Sequence, residues 1–238
     1  MSPAHSVSVL PAGLDTARAA TFTQSYCTAL FALRDRAHLQ NGEVVLVLGA
    51  GGGVGLATID VAVALGGIPI GAASTLAKRT AATQAGARAV IDTTTELVKD
   101  RARALAAELT HDSRPGGNRS TGVDLVVDPV GGGLAEPALR ALGEGGCYIV
   151  IGFAAGPIPS LPLNQVLLRN RTVVGVDRGA WALHHGPEQQ ALLNSLLTLV
   201  AEQRLHPAAP TTYPFEAVAD ALNDLLQRRV VGKIALTP

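Results

Sequence analysis

This chain is poor in aromatic residues, with one Trp, three Tyr and four Phe among 238 residues. A protein that holds single-stranded nucleic acid on stacked rings needs more, so that class of function is not expected. It carries no excess charge of either sign: Lys+Arg and Asp+Glu stand at 19 each. The electrostatic footprint of a nucleic-acid or anionic-membrane binder is therefore missing. The two cysteines, Cys27 and Cys147, form no Cys-x-x-Cys pair. That excludes a cysteine-rich structural zinc site, and no metal site is expected. No uncharged apolar run reaches the ~18 residues of a membrane span. The first residues show no signal-peptide pattern, and the expected setting is a reducing cytoplasm.

Several catalytic signatures are also missing. A Tyr-x-x-x-Lys pair is not formed, because Tyr26 leads to Leu30, Tyr148 to Gly152 and Tyr213 to Ala217. No Gly-x-Ser-x-Gly nucleophile turn occurs. Gly232-Lys233 is followed by Ile234, which rules out a P-loop. His184 and His185 are adjacent, so their rings point apart on most backbones, and a solvated loop is expected there. Asn118-Arg119-Ser120 matches a glycosylation sequon by chance within a polar surface loop over 111–122.

What the chain does hold is apolar bulk, 47% of its residues, in a telling order. Val44 to Leu48 is an unbroken apolar run, and Gly49-Ala50-Gly51-Gly52-Gly53-Val54-Gly55 follows it. A helical pattern then runs from Val54 to Leu65 and stops at Gly66-Gly67. Such an order reads as a buried parallel strand, a tight turn and a helix N-terminus. Turns of this kind let the backbone approach a pyrophosphate, whose charge suits the helix's free N–H groups. Strict Gly-x-Gly-x-x-Gly spacing is not met from Gly49, and the better frame is Ala50-x-Gly52-Gly53-Val54-Gly55.

Elsewhere, helical patterns cover 16–38 (with Asp15 as N-cap), 75–85, 96–109, 134–142, 162–170, 188–202 and 215–228. Strand patterns cover 68–73, 87–91, 123–127, 147–151, 172–176 and 233–236. Alternation at this spacing predicts an α/β fold: a doubly wound, parallel six-stranded Rossmann sheet with helices on both faces. Ligands bind such sheets beyond the carboxyl ends of the strands. At the end of the second strand stands Ser74-Thr75-Leu76-Ala77-Lys78-Arg79, without a carboxylate for a ribose 2′-hydroxyl. Hydroxyls and cations there suit a 2′-phosphate, hence NADPH. The alternative is that Lys78 and Arg79 are merely solvated helix residues.

The residues from Tyr26 to Leu33, Leu39 to Val47 and Ala50 to Gly55, in that order, resemble a known family. So do Asp124 to Gly132, Ile151 to Pro159 and Gly232 to Leu236. The likeness is to the zinc-independent medium-chain dehydrogenases/reductases of the quinone oxidoreductase type. It implies NADPH-dependent hydride transfer to a quinone, enone or related carbonyl compound. Carried over by position, it implies that Ala50, Gly52, Gly53, Val54 and Gly55 face the pyrophosphate. Ser74, Lys78 and Thr93 would stand by the 2′-phosphate, Thr93 where the family often has tyrosine. Thr28, Val130, Gly152, Phe153, Ala154, Gly175, Val176 and Asp177 would line the nicotinamide and ribose side. The family pairs through the strand expected at 172–176, so a homodimer through that edge is expected, with Trp181 as a candidate added contact.

Family members begin with a β-rich GroES-like catalytic domain of about 100 residues. Most of that domain is expected to be missing here. The expected division is 1–40, a segment and helix from the catalytic-domain boundary; 41–205, the NADP-binding domain; and 206–238, a helix and strand that normally pack on the catalytic domain. The final strand is then expected to present an open edge. No residue stands out as a catalytic acid: Asp128 reads as a strand-end structural carboxylate and Tyr148 as a strand residue. A reductase, a non-catalytic NADPH-binding module and an inactive fragment of such an enzyme all stay open.

Overall fold

The computed structural model describes residues 7–110 and 122–238. The sequon and most of the expected polar loop at 111–122 lie outside the described residues.

Helix α1 (Thr16–Leu30) starts where expected, with the Asp15 carboxylate accepting from the Arg18 N–H at 2.8 Å. It continues into a wider π-helical turn, Phe31–Arg36, which buries Phe31, Ala32 and Leu33 together. Then β1 (Val44–Leu48), α2 (Gly53–Ala64), β2 (Ile68–Ala73), α3 (Leu76–Gln84), β3 (Ala89–Asp92) and α4 (Val98–Thr110) alternate. Beyond the undescribed residues come β4 (Val123–Asp128), α5 (Ala135–Ala141), β5 (Leu142–Val150), α6 (Leu163–Leu167) and β6 (Thr172–Gly175). The chain ends with α7 (Arg178–His184), α8 (Gly186–Ala201), β7 (Thr211–Pro214), α9 (Val218–Leu226) and β8 (Ile234–Thr237).

The main sheet has six parallel strands in the order β3-β2-β1-β4-β5-β6. All five β1 residues are buried because neighbouring strands flank them and helices cover both faces. Val45 and Val47 pack with α1, α2 and α8 on one face. Val44, Leu46 and Leu48 pack with α4 and α5 on the other. That period-two division is why the run shows no polar alternation in sequence. No helix among the described residues is long and apolar enough to cross a membrane.

Three features differ from the sequence reading. Strand β5 starts at Leu142 rather than Cys147, its first half hidden by Gly143, Gly145 and Gly146. Helix α7 and strand β7 were not anticipated, being short and rich in turn-type residues. Strand β8 gains an unanticipated partner, pairing in parallel with β7 (Thr211 opposite Ile234, Tyr213 opposite Leu236), while among the described residues the other edge of this two-stranded sheet stays open as expected. This small sheet attaches to the glycine turn: the Gly232 N–H donates to the Gly51 carbonyl at 2.8 Å.

Candidate functional site

Because its strands are parallel, the sheet gathers all their carboxyl ends on one edge. Backbone bonds tie the loops there into a row. The Thr93 N–H donates to the Ala73 carbonyl (3.3 Å), Ala50 to Ala72 (3.0 Å), Ala154 to Pro129 (3.1 Å) and Val176 to Val150 (2.9 Å). Gly152 donates to the Asp128 carbonyl at 3.3 Å. The Val130 side chain lies against Gly49, and the Phe153 ring against Gly131. Gly175 and Asp177 flank Val176 at the far end of the row. Thus Ala50, Thr93, Val130, Gly152, Phe153, Ala154, Gly175, Val176 and Asp177 share one edge.

At its centre the glycine turn feeds α2. Its N-cap is Gly52, which brings no side-chain acceptor. The first bond into the helix runs from the Leu56 N–H to the Gly52 carbonyl at 2.9 Å. The amides of Val54 and Gly55 precede that bond and form the open end of the helix, while that of Gly53 faces Gly232 across a parallel bridge between Gly52 and Gly232. Gly55 must lack a side chain, since a Cβ there would sit 2.3 Å from the Gly49 carbonyl oxygen. At Gly53 the same space holds the stem of Lys233, whose Cε would lie 2.5 Å from a Cβ. Among the described residues no carboxylate pairs with Lys233. The amides of Val54 and Gly55, the positive helix end and the Lys233 stem lie together here, which fits a pyrophosphate.

The end of β2 resolves the two cations. Thr75 caps α3 by accepting from the Lys78 N–H at 3.4 Å, and Ser74 is exposed. Arg79 is paired with Asp92 at 2.9 Å and donates to the Ala73 carbonyl at 3.3 Å. Lys78 packs its stem against Gly51, and its Nζ donates to the Arg228 carbonyl at 2.8 Å. Neither is a freely solvated helix residue. Arg79 is neutralised by its partner, while Lys78 keeps its charge beside the glycine turn.

At the β6 end, the Thr28 hydroxyl donates to the Gln24 carbonyl at 2.7 Å and accepts from Arg178 Nε at 3.3 Å. The Asp177 carboxylate caps α7, accepting from the Ala180 N–H at 3.0 Å. Trp181 stacks between Phe31 and His185, with ring centroids at 4.6 and 5.0 Å. It is therefore packed within the chain rather than a lone surface ring. His184 ends α7 and His185 lies between α7 and α8 against Trp181; both are exposed, as expected, although His184 is helical.

Asp128, 2% exposed, closes β4. One carboxylate oxygen accepts from the N–H groups of Val130 (2.7 Å) and Gly131 (2.8 Å), and the other from the Tyr148 hydroxyl. Burial, then the bond to Asp128, pushes the Tyr148 phenol far above its ordinary value. This pair shapes the turn after β4 and is a structural unit, as expected of Asp128. No three His, Cys, Asp or Glu side chains among the described residues converge to hold a metal ion. The sequence reading missed Lys233 and Arg178. A Gly-Lys pair near the chain end was visible, but no linear pattern places it over a turn some 180 residues earlier.

A family model described as zinc-binding dehydrogenase matches residues 53–195. The chain belongs to the medium-chain dehydrogenase/reductase family. The first four curated relatives are quinone oxidoreductase-like protein 2 or its homolog. It is 35% identical over 229 residues to quinone oxidoreductase-like protein 2 of Bos taurus, covering 96% of this chain and 62% of that relative. The quinone oxidoreductase of Thermus thermophilus, solved alone and with NADPH, superposes with a TM-score of 0.82 at 31% identity, over 100% of this chain and 71% of that one. A mycobacterial protein solved with NADPH gives a TM-score of 0.85 at 25% identity, over 100% and 69%. This medium-chain dehydrogenase/reductase chain spans 59% to 62% of the length of the first four curated relatives.

Proposed function

We propose that this protein is an NADPH-dependent oxidoreductase that delivers a hydride to a quinone, enone or related carbonyl compound. The observation that carries this reading is the open α2 N-terminus, with Lys233 over Gly53 and Lys78 beside Gly51. In it, the amides of Val54 and Gly55 hold the pyrophosphate, and Ala50, Gly52 and Gly53 let it approach. Lys78, Ser74 and Thr93 receive the 2′-phosphate, where β2 ends without a carboxylate. Thr28, Val130, Gly152, Phe153, Ala154, Gly175, Val176 and Asp177 line the nicotinamide half. When bound, the nicotinamide supplies the hydride; the protein orients it and excludes water.

We propose zinc-independent chemistry, a cytoplasmic location and a homodimer. Strand β6 is the sheet edge, paired among the described residues only with β5, and exposes Thr172 and Val173 for pairing with a second copy through 172–176. A second reading, an NADPH-binding module without turnover, is favoured by Asp128 and Tyr148 being bonded to each other rather than free as acids.

Titrating the purified chain with NADPH and NADH, then adding a quinone, tests both. Tight NADPH binding with NADPH oxidation supports the reductase, and binding without oxidation supports the module. Failure to bind either nucleotide rejects both. Lys78→Ala should lower the NADPH-over-NADH preference about tenfold, roughly the loss of one charge-assisted contact. An unchanged preference removes Lys78 from the site.

A further inference from the structure

Arg178 has an unusual setting. It opens α7 directly after β6, on the edge that collects the candidate site residues. Two other helices hold its guanidinium. Nε donates to Thr28 Oγ1 on α1 at 3.3 Å, and Nη1 donates to Gln189 Oε1 on α8 at 3.0 Å. Gln189 is itself fixed by a 3.5 Å contact from Nε2 to Cys27 Sγ. The Thr28 hydroxyl hydrogen points to the Gln24 carbonyl, which leaves its oxygen to accept from Arg178.

Both partners of Arg178 are neutral. Among the described residues no carboxylate forms an ion pair with it. The adjacent acid, Asp177, is exposed and turned to the Ala180 N–H. Arg178 is thus a half-buried, immobilised cation held by two neutral partners and in no ion pair among the described residues. Partial burial also limits screening by salt.

We propose that Arg178 makes the nicotinamide end of this site selective for the reduced cofactor. This rests on the reading above, which places the ring beside Thr28. The oxidised ring carries a positive charge and the reduced ring none. A fixed cation next to it repels the first and leaves the second nearly unaffected. The chain then holds NADPH more tightly than NADP+ and sheds the oxidised form, which suits a reductase. A tenfold difference in affinity corresponds to about 30 mV in the potential of a bound two-electron couple.

The test is equilibrium titration of the full chain and its Arg178→Gln and Arg178→Lys variants with NADPH, NADP+ and 2′,5′-ADP. The wild type should favour NADPH over NADP+ by about tenfold or more. Arg178→Gln should lose most of that ratio by tightening NADP+, and Arg178→Lys should keep it. Binding of 2′,5′-ADP, which has no nicotinamide, should be equal in all three and reports that the variants fold. An unchanged NADPH/NADP+ ratio in Arg178→Gln, with 2′,5′-ADP still bound, overturns this inference alone. A wild type that binds none of the three nucleotides overturns the cofactor reading and this inference with it.

Discussion

The Asp60 carboxylate accepts a 2.8 Å hydrogen bond from the backbone N–H of His206, 146 positions along the chain. The same oxygen accepts from the Tyr26 hydroxyl, also at 2.8 Å. One buried acid on α2 thus joins α1 to the start of the C-terminal segment. Burial raises the Asp60 pKa, only partly offset by these two bonds.

That shift sets a pH dependence. The folded protein holds the Asp60 proton to higher pH than the unfolded chain, whose aspartates titrate near about 3.9. Its contribution to stability is therefore full below that value and is lost as pH rises through the folded pKa. Asp60→Asn, which is neutral throughout, should show a smaller fall in Tm than the wild type as pH rises from about 4. Equal slopes in thermal unfolding would mean that Asp60 ionises freely.

Gly55 and Gly53 should respond differently to alanine. At Gly55 the new methyl meets the Gly49 carbonyl and the Ala50 Cα, at 2.3 and 2.8 Å, and backbone cannot step aside. Gly55→Ala should cost about 1–3 kcal/mol or more in urea unfolding, as overpacked sites do. At Gly53 the obstacle is the flexible Lys233 side chain. Gly53→Ala should leave stability within about 1 kcal/mol and weaken nucleotide binding by displacing the lysine.

Asp128 and Tyr148 predict a graded pair. Asp128→Ala strands two backbone N–H groups and a buried hydroxyl, and should cost about 3 kcal/mol. Tyr148→Phe leaves the two backbone bonds in place and should cost about 1 kcal/mol. Denaturant midpoints for the two variants measure the difference, and equal losses would contradict the assigned geometry.

The thiols should be inert in the native state. Burial raises the pKa of Cys27, and burial with the nearby Glu43 pushes Cys147 up to about 11. At about pH 8 a disulfide reagent should modify Cys147 on the order of a hundredfold more slowly than a free thiol. Adding denaturant should restore both reactions, and fast native labelling would show that Cys147 is more open than its strand position implies.

The six-stranded sheet was readable because β1 and β2 are short apolar runs bounded by Asn41-Gly42, the glycine turn and Gly66-Gly67. The glycine turn itself was readable for the same reason, since its demand is local: a backbone path that only small residues allow. Short or glycine-interrupted elements were misplaced, among them the first half of β5, all of α7 and all of β7.

The sequence by itself determined the parallel sheet, a helix start at the glycine turn (Val54, one residue after the observed Gly53) and the absence of an acid after β2. Those follow from side-chain size, apolar pattern and charge, which act within a few residues. Only the tertiary structure decided which charges matter. It paired Arg79 with Asp92, laid Lys233 over Gly53, and set Arg178 against Thr28 from across 150 residues. Such contacts depend on how helices and the C-terminal strand return to one sheet edge, and no local pattern encodes that return.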